Sequence, residues 1–282
     1  KIFQIKALVT EIRDFIINKM LEDVFIVAKY YKDYFKIGSG PKNLMSYGLY
    51  DNYGPEIYYV SPKVIIDGKE ENLDTEKINE NIYLAWYKAD KETLNIEDNN
   101  WQPDALKKEG YSWIKAPRYK GYPMQVGPLA RMYISGEYRE GISTMNRTIA
   151  RVLEAKKISD IMLQLLAKLT AKESTNKRYV LPDKAVGYGF NDTTRGALSH
   201  YVNIEGGQIK NYTIITPSTW NLSPKDSNGV RGALEEALIG THIEDSKNPV
   251  EIGRIVRSFD PCVSCATHVL SKEFSPMDIR VI

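Results

Sequence analysis

The sequence predicts an α+β protein, mainly helical, in which several long helices are joined by a minority of β-hairpins. Three observations carry that reading. The run from Ser143 to Glu173 contains neither proline nor glycine and opens on a serine–threonine cap. At about 1.5 Å per residue it would reach about 40 Å, long enough to be the spine of a domain. From Ile2 to Lys36 the chain reads as two amphipathic helical stretches, with Phe15, Ile16, Met20, Val24 and Val27 spaced to share one stripe. Finally, GALSHYVNIEGGQIKNYTIITPSTW alternates apolar and polar residues about EGGQ, which reads as a β-hairpin.

The other elements follow in order. Between Tyr47 and Ala89, short Tyr/Ile/Val-rich runs are broken by DNYG and DGKEEN, the punctuation of strands and hairpins. The acidic, asparagine-rich DKETLNIEDNN reads as a solvated loop. APRYKGYPMQVGPLARM, Ala116 to Met132, holds too many prolines and glycines for a regular element yet few charges, so it is expected to be irregular and buried or interface-lining. VRGALEEALIG reads as a short helix. In NPVEIGRIVRSF the spacing of Ile252, Ile255 and Val256 predicts a helix that leads directly into the two cysteines. No internal repeat or low-complexity linker divides the chain, so residues 1–282 are treated as one unit.

A formal net charge of +2, with no lysine or arginine block, argues against nucleic acid as a partner. The sequence lacks a charge-free apolar run of the length that spans a bilayer, and KIFQIKALVTEIRDFIINKM lacks the continuous apolar centre of a signal peptide. The chain itself is therefore expected to be soluble. It opens on Lys1 rather than methionine, and something is expected to precede it.

Both cysteines sit near the end, in SFDPCVSCATHVL, as Cys262 and Cys265, with His268 just beyond. A C-x-x-C pair can chelate a metal, form a redox disulfide or line a core. A closed zinc site needs four ligands, and the chain has no second pair. Cys262, Cys265 and His268 recur every three residues, which would align them on one face of a helix or tight turn. Two thiolates favour a soft or borderline metal such as nickel, iron, copper or zinc. They are too few for a stable centre, so the remaining ligands are expected from another chain, from a missing part of this one, or from non-protein groups.

DPCVSCATH resembles the D-P-C-x-x-C-x-x-H signature that ends the mature large subunit of nickel-iron hydrogenases. APRYKGYPMQVGPLAR, STMNRT, TTRGALSH and TPSTWNLSPKD occur in the order seen in the membrane-associated uptake, or respiratory, branch of that family. The resemblance implies a long-helix bundle core with peripheral β-hairpins and heterolytic cleavage of H2 to protons and electrons at a Ni-Fe centre whose iron carries CO and cyanide. Cys262 would be the terminal thiolate on nickel and first proton acceptor, and Cys265 would bridge the two metals. Asp260 would lie close to the metals. Arg195 would hang its guanidinium over the open position and donate to one cyanide, while Pro217 and Ser218 line the pocket of the other. His268 would bind Mg2+ or a similar ion near the C-terminus, with the carbonyl of Ile214 as a further ligand.

The same resemblance implies what is lacking. The family's first cysteine pair, in an R-x-C-G-x-C motif, has no counterpart here, so the chain resembles only the C-terminal half of a large subunit, naturally split or a fragment. Thr194 stands where the family commonly has proline. Residues 269–282, VLSKEFSPMDIRVI, look like the extension that a maturation protease removes after the motif histidine. The implied partners are the N-terminal half of the large subunit, an iron-sulfur small subunit that holds the clusters, the maturation protease, nickel-insertion factors, and a membrane cytochrome or other anchor. The implied location is the outer face of the cytoplasmic membrane. The alternative is a non-catalytic hydrogenase-like scaffold of a redox complex, against which the retained Cys262 and Cys265 argue.

Overall fold

The computed structural model describes residues 1–96, 101–170, 176 and 178–262, together with the backbone of 265–269 and 277–281. Helix α1 (Ile2–Phe15) does not end where the first amphipathic stretch was expected to stop. It passes through a wide π turn at Ile16–Met20 into α2 (Leu21–Tyr30), with helical dihedrals throughout. The wide turn changes the phase of the apolar stripe. Val9, Ile16, Val24 and Ala28 are buried, whereas Phe15 and Val27, expected on the same stripe, are exposed.

Short strands follow. β1 (Leu44–Ser46), β2 (Lys63–Ile66) and β3 (Lys69–Asn72) form an antiparallel sheet in that order. Next come β4 (Ile78–Asn81), β5 (Tyr87–Lys88), β6 (Thr93–Asn95), β7 (Gln102–Pro103) and β8 (Ala116–Tyr119). β4 lies between β6 and β8, and β5 pairs with β7. β6 corrects the expectation of a loop through DKETLNIEDNN: Leu94 and Ile96 alternate inward and are buried, which outweighs the acidic composition around them. Residues 97–100 of that segment lie outside the described residues.

α3 (Pro128–Ser135) starts on a proline and stops at Gly136 in the left-handed region. α4 (Thr144–Lys168) is the long spine. Its first turn is closed by a capping box, in which Ser143 Oγ accepts from the Asn146 amide and Asn146 Oδ1 accepts from the Ser143 amide. β9 (Lys184–Thr193), β10 (Gly196–Glu205) and β11 (Gln208–Ile215) make an antiparallel meander that includes the expected EGGQ turn. α5 (Pro217–Asn221), α6 (Ala233–Leu238) and α7 (Val250–Ser258) follow, then the backbone of β12 (Cys265–Val269) paired antiparallel with β13 (Met277–Val281).

α4 packs against α1, α2, α3 and α7, which is the helix bundle expected at the core. One apolar core runs along α3 and α4 through Leu129, Ala150 and Ile161. A second is built mostly by strands: Met45, Val64, Tyr119 and Ile215 surround fully buried Trp220. The small sheets thus carry part of the interior as well as the periphery. Among the described residues, no helix is long and apolar enough to cross a membrane.

Candidate metal centre

The four motifs of the sequence fold onto one another around the end of α7. Arg118, from the first motif, is buried against Asp226 of the fourth, with Nε to Oδ2 at 2.8 Å. Its remaining N–H groups donate to Ser223 Oγ and to the carbonyls of Pro117, Pro224 and Val230. A guanidinium so enclosed needs each donor satisfied, and here each has an acceptor. Asn221 ties the same two motifs again, accepting from the Val126 amide and donating to the Val126 carbonyl. The irregular stretch after β8 is therefore held by side chains instead of ladder hydrogen bonds, as its prolines and glycines require.

Arg131 on α3 sets the turn that carries Arg195. It makes a two-pronged pair with Glu154 of α4, at 2.6 and 2.7 Å, and reaches Asp192 at 3.3 Å. It also donates to the carbonyls of Thr193 and Thr194. Burial alone would lower the pKa of Arg131, but Glu154 and Asp192 hold it above the usual arginine value, so the guanidinium stays charged. Two glycines let this turn sit close: a Cβ on Gly196 would come within 2.5 Å of the Gly127 amide nitrogen, and one on Gly127 within 2.7 Å of the Arg195 carbonyl oxygen.

Arg195 then meets the end of the chain. Its Nε donates to the Asp260 carbonyl at 3.0 Å and lies 3.2 Å from Asp260 Oδ2. Asp260 has φ 53°, so the chain leaves α7 in a left-handed step instead of continuing as helix. That corrects the expectation that Cys262, Cys265 and His268 lie along one helical face or tight turn: α7 stops at Ser258, and Cys265–Val269 is extended. Cys262 is a free, exposed thiol two residues beyond Asp260. The side chains of Cys265 and His268 lie outside the described residues, as does the detail of 269–282.

Two further arginines, singled out by nothing in the sequence reading, stand beneath this segment. Arg147, wholly buried one turn into α4, lies with its guanidinium 3.7 Å from the Phe259 ring centroid. It donates to Gln125 Oε1, to the carbonyls of Gly38 and Ser39, and to Ser258 Oγ. Burial, reinforced by the charge of Arg151, pulls its pKa down to about 9, which leaves it cationic at neutral pH. Arg151, one turn further on, donates to the Ser258 carbonyl at 2.8 Å, and its Nε has no hydrogen-bond partner among the described residues. Burial lowers its pKa while Asp260 and Glu154 draw it back. Arg147, Arg151, Arg195 and Asp260 line one small cavity. Gln125 completes the support by donating to the carbonyls of Ser39 and Pro41.

The other expected site residues are spread more widely. Pro217 is buried at the first position of α5, with Thr216 as the N-cap, and the Ser218 hydroxyl has no hydrogen-bond partner among the described residues. Ile214 lies in β11 opposite His200, and nothing described brings its carbonyl to a cation. Among the described residues, no three His, Cys, Asp or Glu side chains converge as a ready metal site.

Comparison with known proteins adds the following. The sequence model of a family described as nickel-dependent hydrogenase matches residues 1–140 and 134–268. The periplasmic [NiFeSe] hydrogenase large subunit of Desulfomicrobium baculatum is 34% identical over 303 residues, covering 97% of this chain and 58% of that protein. The quinone-reactive Ni/Fe-hydrogenase large chain of Wolinella succinogenes is 32% identical over 311 residues, covering 92% and 54%. A solved structure of the D. baculatum [NiFeSe] hydrogenase superposes with a TM-score of 0.87 at 32% identity, over 92% of this chain and 58% of that one. The chain thus spans less than two thirds of the length of the relatives it matches.

Proposed function

The chain belongs to the nickel-dependent hydrogenase family, and we propose that it is the C-terminal part of a hydrogenase large subunit, cleaving H2 once the rest of the large subunit completes its site. The observation that carries this is the convergence of all four motifs on the segment before Cys262, where Arg195 is already fixed by Asp260. The donor set fits half of a nickel-iron centre. Cys262 and Cys265 would supply two of its thiolates as soft ligands, while the missing half would supply the other two. When bound, this group would provide the open coordination position at which H2 is polarised and the route by which electrons leave.

This chain's own residues do the rest. Cys262, an exposed free thiol two residues beyond the Asp260 that Arg195 holds, would accept the proton. Arg195, fixed by Asp260, would supply a cation and a donor to that group, and such preorganised charge lowers a barrier without reorganisation at the moment of reaction. CO and cyanide on iron need donors as well as space. Arg195 would serve one cyanide, and Pro217 with the unpaired Ser218 hydroxyl the other. His268 and the carbonyl of Ile214 would hold Mg2+. An iron-sulfur small subunit would take the electrons, since this chain has no further cysteines.

The family match ends at residue 268, which supports reading 269–282 as the extension removed by a maturation protease after nickel insertion. The relatives' names, periplasmic and quinone-reactive, support a place on the outer face of the cytoplasmic membrane, reached through partner subunits and a membrane cytochrome or other anchor. The test is an infrared spectrum of the complex from its native host. Sharp CO and cyanide stretches are expected; their absence from a mature, tail-cleaved complex would overturn the proposal in favour of a scaffold.

A further inference from the structure

Among the described residues, the buried cations have an ion-pair partner except at one point. Arg118 has Asp226, and Arg131 has Glu154 and Asp192. Lys115, nearly buried, has Glu80. Arg147 and Arg151 form no ion pair among the described residues, and Asp260 is already taken by Arg195. An i, i+4 pair of like charges on one helix is unfavourable even at a surface. Below the surface each guanidinium also carries a desolvation penalty. Their hydrogen bonds go largely to neutral carbonyls, a glutamine and a serine hydroxyl, which satisfy donors but leave the charge in place. The α4 spine therefore holds two cations with no ion pair among the described residues, and Arg151 alone of the two feels acidic neighbours, Asp260 and Glu154, which already pair with Arg195 and Arg131.

What those cations touch is specific. Arg147 donates to Ser258 Oγ and stacks on Phe259, Arg151 donates to the Ser258 carbonyl, and Arg195 donates to the Asp260 carbonyl. Three guanidiniums from two elements thus grip three consecutive residues, and the next residues but one lead into Cys262. We propose that Arg147 and Arg151 are positioning residues for the cysteine segment, fixing Ser258–Asp260 while supplying the positive charge that a thiolate-bound anionic metal group requires. Four thiolates and two cyanides on two divalent metals leave a formal double negative charge, which two guanidiniums equal in size and oppose in sign. The inference rests on the nickel-iron reading above, and makes the arginines act through the loop and the field, without ligating the metal.

The experiment uses the whole complex purified from the native host, comparing the wild type with Arg151→Met and Arg151→Lys. Arg151 is chosen because it is only partly buried, whereas a change at enclosed Arg147 risks the fold. The readouts are nickel per complex and the positions of the CO and cyanide stretches. Arg151→Met is expected to lower nickel content about tenfold, in line with losses when outer groups that orient metal ligands are removed. In the fraction still loaded, the stretches should move to lower wavenumber, because the metal becomes more electron-rich when a nearby cation is lost. Arg151→Lys should restore most of both. Wild-type nickel content and stretches in Arg151→Met would overturn the proposal, and so would equal impairment of the methionine and lysine variants, which would reduce Arg151 to packing. A wild-type complex without nickel or CO and cyanide bands would instead sink the metal-centre reading itself, and this proposal with it.

Discussion

Arg195 shows how one side chain can be held by things that are not its own ligands. Its guanidinium is fixed at one end by Asp260, and its backbone is fixed from behind by Arg131, which grips the carbonyls of Thr193 and Thr194. A lysine there would keep the charge but lose the flat, multi-donor group that spans both partners. Arg195→Lys in the assembled enzyme is expected to lower turnover by about 10²–10³-fold, the range seen when a preorganised donor is lost. The loaded protein should keep its nickel, and unchanged H2 oxidation would refute a role for the guanidinium. At this scale DPC, TTRGA and TPSTW named Cys262, Arg195 and Ser218 through the family resemblance they carry, and the structure brings Arg195 against Asp260, two residues before Cys262. Arg147 and Gln125 lay within STMNRT and APRYKGYPMQVGPLAR without being picked out as site residues, and Arg151 lay outside every motif. In a sequence, an arginine four residues from another on a long helix looks like a solvated face, and only the fold reveals that this face is covered by Gly38–Ser39 and Phe259.

Among the elements, the turn between β9 and β10 is the one with least tolerance. Gly196 adopts φ 126°, and a Cβ there would collide with the Gly127 amide nitrogen and Val126 Cγ2 at 2.5 and 2.7 Å. Gly196→Ala is therefore expected to cost more than about 1 kcal/mol in stability, the ordinary scale for a residue forced into an incompatible backbone conformation. Because relief must come from moving the turn, Arg195 should separate from Asp260 as well. A denaturation midpoint equal to the wild type's would show that the approach is looser than described. α4 was readable because its cap, its length and its freedom from breakers all agree. β6 was not, since three residues with one inward leucine give too short a pattern to outweigh acidic neighbours. The left-handed step at Asp260 was invisible for a different reason: aspartate tolerates that conformation without announcing it, whereas glycine would have marked it.

At the scale of the whole molecule, an exposed set of large apolar side chains runs along the first two helices. Phe3, Leu8, Ile12, Phe15, Phe25 and Ile26 are all exposed along α1 and α2. Beside them, α1, α4 and the segment before Arg195 enclose a mostly apolar cleft of about 450 Å³. Contiguous apolar surface of this kind marks a place where other protein belongs. On the reading proposed above, the remaining part of a large subunit would cover this face. The chain expressed alone is expected to self-associate and to bind a hydrophobic dye such as ANS, and both properties should disappear on co-expression with the complementary part. A monodisperse monomer that leaves ANS dark would argue that the face needs no partner.

The π turn at Ile16–Met20 has a consequence at the level of the gene. Such a turn holds one residue more than regular helix, so everything beyond it is rotated by about 100° relative to an unbroken rod. Loss of the Asn18 codon alone would leave a well-formed helix with every hydrophobic residue still present. It would nevertheless swing Val24 and Ala28 off α4 and bring in their place residues that now face outward. In this stretch a three-base deletion would be more damaging than most missense changes, even though it removes neither a charge nor a site residue.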